Sequence, residues 1–321
     1  CIKFYIMKRK IIQIGNRTKS VTLPQTWVNK FELNKGDHLE VSEVGDELVL
    51  KTGNKGNKEL EIDLKGINKT TIEEAIVSPY QFGYDKLTLK FDPISTCIWD
   101  NKEIDTRKII QDQCNELIGF ECINLGREEA VIRDIMGVSA EDFDSVLRRI
   151  FLLLRSFSKD VHTGIKDKNS DLLSFVSDQS KSMRKYLRYC LRYLSKVGEG
   201  DKTPVYLYLI AILDQARVGL RFVIKMHQST NIKEDYSKAA LDVIEGISGL
   251  FDDTYSVYYK FSMKKSSDIF KKRSKLVKKC YALAGSKNKA DAVISQRLIH
   301  VMNTVWNINK VCIALNMGDE K

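Results

Sequence analysis

The N-terminal stretch switches period twice. Polar and apolar side chains alternate along "KIIQIGNRTKSVTL" (10–23), as in a half-buried strand, until Pro24 breaks the run. Trp27, Val28, Phe31 and Leu33 then recur at helix-like spacing. "HLEVSEV" (38–44) and "ELVLK" (47–51) are strand-like again, and Gly45-Asp46 between them predicts a tight hairpin. "LNKGD" (33–37) predicts a turn, because Asn34 and Gly36 accept positive φ. "KTGNKGNK" (51–58), built from Gly, Asn and Lys, reads as a linker.

Residues 59–136 alternate strand and helix. "ELEIDL" and "KLTLKF" predict strands, with "TIEEAIVSPYQFG" between them as a helix begun by Thr70 or Thr71 and disturbed near Pro79. "TRKIIQDQCNELIG" predicts a second helix stopped by Gly119, then "FECINLG" and "AVIRDI" predict strands joined by Arg127-Glu128-Glu129. This is a small α+β segment.

From Ser139 onward the period is three to four, and Pro204 is the single proline. Six long helices are expected. The first starts at Ser139, with Asp142 in place of a capping-box Glu, and ends near Gly164. The others cover about 170–197, 203–229, 235–260, 263–284 and 288–316, with Gly198, Gly285 and Gly318 as stops. Three helices, a "QSTNIKE" joint and three more of similar length suggest an approximate duplication, packed as two three-helix bundles over about 139–229 and 235–318.

Charge changes this picture at one end. The chain of 321 residues carries a formal net charge of +10, which favours an anionic partner. Residues 1–31 contain Lys3, Lys8, Arg9, Lys10, Arg17, Lys19 and Lys30 and no acidic residue. Glu32, Asp37, Glu40, Glu43, Asp46 and Glu47 all follow. A solvated face would mix signs, so segregation points either to a face for a polyanion or to a merely basic surface hairpin. The unit is also too small to bury much alone, and it would leave strand edges open. A second, interleaved copy would solve both problems.

Other chemistries find little support. Seven cysteines at irregular spacing without a Cys-x-x-Cys pair read as reduced thiols, and the four histidines have no zinc spacing. The longest apolar run, Ile150–Leu154, is far too short to span a bilayer, so no membrane insertion is expected. No signal peptide is expected, Met7 is a plausible natural start, and residues 1–6 are given no functional weight. Motifs for phosphate loops, zinc hydrolysis or a nucleophile elbow are missing, so no catalytic residue and no enzyme activity are expected.

The order of signals in residues 8–52 resembles the swapped-hairpin DNA-binding domain of the SpoVT/AbrB family. The matching features are the basic-apolar first strand, the Gly15-Asn16-Arg17 loop, Leu23-Pro24, the short helix, and the Leu33-x-x-Gly36-Asp37 turn before two strands. The resemblance implies a dimeric β-barrel in which Lys8, Arg9, Lys10, Arg17 and Lys19 meet double-stranded DNA. Where that family often has further arginines after the proline, this chain has Gln25, Thr26 and Trp27. Residues 59–317 resemble the archaeal phosphate-uptake-regulator arrangement, a small α/β segment followed by a PhoU-like pair of bundles. "TIEEAIVSPYQFGYDKLTLKF" and "FDSVLRRIFLLLRSF" carry most of that likeness.

PhoU-like bundles commonly hold metal clusters through acidic pairs four apart. Asp178, Asp214 and Asp268 lack such a partner, and Asp252-Asp253 are adjacent, so no metal site and no cofactor are expected. Two basic helical runs, 181–196 with Arg184, Arg188 and Arg192 on one stripe, and 264–279, are either partner surfaces or solvated faces. The leading expectation is a cytoplasmic, homodimeric transcriptional regulator of phosphate uptake, with a helical domain that senses or relays. The rival is a non-enzymatic adaptor that docks a phosphate transporter or signalling protein, its N-terminal unit serving mainly to dimerise it.

Overall fold

The structure, a computed structural model, describes residues 8–14, 17–44, 47–52, 58–98, 100–229 and 235–317. The chain divides into two compact units, Cys1–Gly56 and Asn57–Lys321. The Gly15-Asn16 loop, the Gly45-Asp46 turn, most of the predicted linker, most of the "QSTNIKE" joint, Met7 and Gly318 lie outside the described residues.

The first unit holds two two-stranded antiparallel ribbons, β1 (Ile12–Ile14) with β2 (Thr18–Ser20) and β3 (Leu39–Val44) with β4 (Glu47–Thr52). Between them α1 (Gln25–Lys30) starts after Pro24. The predicted turn at 34–37 forms: the Asp37 carboxylate accepts from the Asn34 amide at 2.7 Å, and Gly36 sits at φ +104, where a side chain would be strained.

The second unit begins with an α/β layer. Its elements are β5 (Glu59–Asp63), α2 (Lys69–Gln81), β6 (Lys86–Lys90), β7 (Ile94–Thr96), β8 (Glu103–Asp105), α3 (Thr106–Asn115), β9 (Phe120–Leu125) and β10 (Glu129–Asp134). The sheet runs β5-β6-β10-β9, with β5 parallel to β6 and the other pairs antiparallel. Period-two alternation puts Leu60, Ile62, Leu87, Leu89, Ala130 and Ile132 on one face, against Ile72, Ile76, Tyr80, Ile109 and Ile110 of the two helices. The other face carries cross-strand ion pairs, Lys86 with Glu59 and Lys90 with Glu61.

Local details differ from expectation. The cap of α2 is Asn68, whose side chain accepts from the Thr71 amide, so the helix starts before Thr70. Pro79 stays helical because only Tyr80 and Gln81 follow it in α2. Helix α3 ends at Asn115 with Glu116 as cap, short of Gly119, whose φ of +81 instead feeds the turn into β9. The β7–β8 hairpin, two three-residue strands, lies where no strand was predicted.

The remaining six helices are α4 (Ala140–Lys166), α5 (Ser170–Lys196), α6 (Thr203–Ser229), α7 (Lys238–Tyr259), α8 (Met263–Ala284) and α9 (Lys289–Asn316). Ser139 caps α4 by accepting from the Asp142 amide and donating its hydroxyl to the Asp142 carboxylate at 2.6 Å. Gly164 does not stop α4. A Cβ there would stand 2.6 Å from Leu173 Cδ2, so this glycine lets α5 approach closely. Within each trio all three helices pack on one another, and the trios meet through α4 against α7 and α6 against α9. One continuous apolar core, from Phe143 to Cys312, runs through all six. The middle helices, α5 and α8, stand away from that seam.

Candidate nucleic-acid interface

The ribbon β1–β2 has two unlike faces. Directly paired residues of an antiparallel ribbon point the same way, so Gln13 and Lys19 share one face, while Ile12, Ile14, Thr18 and Ser20 share the other. Lys8, Arg9 and Lys10 lead into β1, Arg17 stands in the turn before β2, and all five predicted basic residues are exposed. Gln13 was not singled out in the sequence; its register opposite Lys19 adds it to the polar face. The apolar face is bare: Ile11, Ile12, Ile14 and Val21 are 72%, 48%, 60% and 52% exposed. None of the described residues of the first unit whose burial is defined is buried, and the buried core of the chain begins at Leu64. Trp27 tilts against Phe31 at 5.6 Å, and Lys30 sits over the Phe31 ring. Glu32, Asp37, Glu40 and Glu43 are exposed and belong to the segments after α1, so the sign segregation of the sequence persists in the unit.

The basic stripe of α5 is neither a partner surface nor a solvated face. It clamps the α/β layer onto the helices. Arg184 and Arg188 both donate to the Glu116 carboxylate, at 2.6 and 3.3 Å, and the Lys185 ammonium donates to the Asn115 carbonyl. Arg192 is fully buried. Its guanidinium donates to the carbonyls of Tyr80 (2.8 Å) and Tyr84 (2.7 Å) and to the carboxylates of Asp134 and Asp85. It also lies 4.9 Å from the ring centres of both Tyr80 and Phe120. Lys196 pairs with the same two carboxylates. A spacing of four marks one helix face but does not say what covers it, which is why the sequence left this stripe open.

Burial alone would raise the Asp134 carboxyl, but the Arg192 hydrogen bond and charge, the Gly137 amide and Lys196 overcome it and hold the group below the usual carboxylate range. A depressed carboxyl contributes stability that is present above its unfolded pKa, about 3.9, and is lost as pH falls through the folded value. Thermal unfolding of the chain is therefore expected to steepen in its pH dependence below about pH 4, and Asp134→Asn should flatten that acid limb; an unchanged limb would separate the acid lability from this clamp.

The carboxylates considered as metal ligands each face a cation: Asp178 pairs with Lys181, Asp214 with Arg217, Asp268 with Lys271, Asp252 with Arg155 and Lys159, and Asp253 with Lys272. Among the described residues no group of three or more His, Cys, Asp or Glu is placed to hold a metal ion. The six described cysteines form no disulfide, and burial pushes the Cys280 thiol up to about 11 and the Cys312 thiol up to about 12. No helix among the described residues is long and apolar enough to cross a membrane.

Ribbon, short helix and second ribbon, with the cationic edge on the first, define a small β-rich module of the MazE/AbrB type. Residues 12–58 match the family described as "Antidote-toxin recognition MazE, bacterial antitoxin". No curated protein matches the chain. A solved structure, the phosphate transport system regulatory protein PhoU from Streptococcus pneumoniae, is similar over 56% of this chain and 95% of its own, at 10% identity and a TM-score of 0.48.

Proposed function

We propose that the chain is a dimeric, DNA-binding transcriptional regulator of phosphate uptake, in which Lys8, Arg9, Lys10, Arg17 and Lys19 meet the duplex and the helical unit senses or relays a signal. The observation that supports it is the two-faced β1–β2 ribbon, with a bare isoleucine face and an exposed basic edge. An isoleucine face this exposed needs cover, and a second copy of the same unit offers a matching one. Covering that face leaves Gln13 and Lys19 outward and doubles the number of basic residues presented. The phosphate assignment rests on the likeness of residues 59–317 to phosphate-uptake regulators. Nothing in the residues argues for catalysis, so we read the chain as non-enzymatic.

Two measurements test this. A fragment of residues 8–58 should unfold at a midpoint that rises with its concentration and should sediment as a dimer; a folded monomer at micromolar concentration would refute the pairing. The whole chain should bind duplex DNA with a log–log salt slope of about −4 to −5, as if roughly half of ten charges meet phosphates. An adaptor that merely dimerises through its N-terminal unit would show no such salt-sensitive binding. Mapping its genomic sites then tells whether transporter genes lie beside them.

A further inference from the structure

The second basic run, on α8, has a different fate from the first. The middle helices α5 and α8 hold equivalent places in the two trios. Helix α5 is covered by α2 of the α/β layer, and its arginines are spent on that contact. Helix α8 packs on α7 and α9 alone, and its outer side faces solvent. Every exposed position from Lys264 to Lys279 is Lys or Ser: Lys264, Lys265, Ser267, Lys271, Lys272, Ser274, Lys275, Lys278 and Lys279.

The lysines come in adjacent pairs, 264/265, 271/272 and 278/279, repeating every seven residues. Seven residues advance a helix by about 10.5 Å and fall only about 20° short of two full turns. The pairs therefore keep to one face along roughly 22 Å. Two of these lysines are neutralised, Lys271 by Asp268 at 3.4 Å and Lys272 by Asp253 at 2.6 Å. Lys264, Lys265, Lys275, Lys278 and Lys279 have no ion pair among the described residues.

We infer that the outer face of α8 is a second, sequence-independent contact for the phosphate backbone of duplex DNA. The choice of polyanion rests on the DNA-binding reading proposed above. The composition of the face favours DNA over a protein partner. Protein interfaces are rich in Arg and aromatic anchors and poor in Lys, and the α5 clamp, with Arg192 between Tyr80 and Phe120, is built that way. The α8 face has point charges on flexible stems and no apolar anchor, which suits a regular run of phosphates. About 22 Å of duplex carries roughly 13 of them. A bilayer surface would reward apolar side chains among the lysines, but those of α8, such as Ile269, Val277 and Cys280, are buried in the core.

The test uses the full chain and a fluorescein-labelled, mixed-sequence duplex of about 40 base pairs, titrated across a salt series. The variant K264Q/K265Q/K275Q/K278Q/K279Q should flatten the log–log slope by about 2 to 4 and weaken binding roughly tenfold or more, with an unchanged melting temperature. The matching Lys→Arg variant should bind like the parent. A glutamine variant with the parent's slope and affinity overturns the inference and leaves the N-terminal reading intact. Loss in the glutamine variant beside no loss in an Arg9/Arg17/Lys19 alanine variant supports the inference and sinks the N-terminal reading. A parent that ignores the duplex but binds polyglutamate or vesicles of anionic phospholipid through these lysines also overturns it.

Discussion

Replacing Arg192 with methionine should cost about 3–5 kcal/mol of stability, the range for breaking a buried ion pair by removing one partner. The length of the side chain is nearly preserved, so the loss is one of polar partners rather than of volume. The Asp134 side chain, only 4% exposed, keeps Lys196 but loses its short guanidinium contact. The carbonyls of Tyr80 and Tyr84 lose their side-chain donor in a buried site. Arg184→Ala makes the contrast. That side chain is 36% exposed and shares Glu116 with Arg188, so its loss should cost no more than about 1 kcal/mol. Urea unfolding of the two variants beside the parent checks both; an Arg192→Met chain within 1 kcal/mol of the parent would mean that the clamp is marginal.

The Arg9→Ala/Arg17→Ala/Lys19→Ala variant, still dimeric, should lose about a hundredfold or more in duplex affinity near physiological salt. Arg17 is the candidate base contact, since a guanidinium fork on guanine is worth about 1–3 kcal/mol per site. Arg9 and Lys19 are candidate phosphate contacts, each flattening the salt slope by about 0.9 when lost. The single replacements should differ in kind. Lys8→Ala or Lys10→Ala should weaken all sequences alike, while Arg17→Ala should also reduce discrimination between sites. Fluorescence anisotropy on specific and mixed duplexes separates the two effects. A triple variant that binds like its parent places the DNA surface elsewhere, and the α8 face is then the first place to look.

The long helices and the main strands were legible because each keeps one period over its length and one face against a core. The six helices from Ala140 to Asn316 have apolar stripes that the single core uses directly. Short elements were not legible. Strands β7 and β8 have three residues each, too few for alternation to speak, and the turn between them puts Asn101 at φ +51. Glycines misled where they serve packing rather than stopping, as Gly164 does beneath Leu173. The basic edge at Lys8–Lys19 was visible because its charges are close in sequence. The Arg192 clamp was not, because Tyr80, Asp85, Phe120 and Asp134 reach it from sites far along the chain.

The seam between the two trios bears on how such a chain could arise and change. If the trios descend from a doubled ancestor, the copies have since lost the option of living apart. Separating them between α6 and α7 would strip cover from Leu213, Leu220 and Val223 on one piece and from Val243, Ile247 and Val301 on the other, all part of the shared core. A recombination event that exchanged one trio for a distant cousin's would have to match both seam helices at once. Novelty is easier to accumulate on the outer helices, where α5 and α8 have already diverged, one into arginine and the other into lysine.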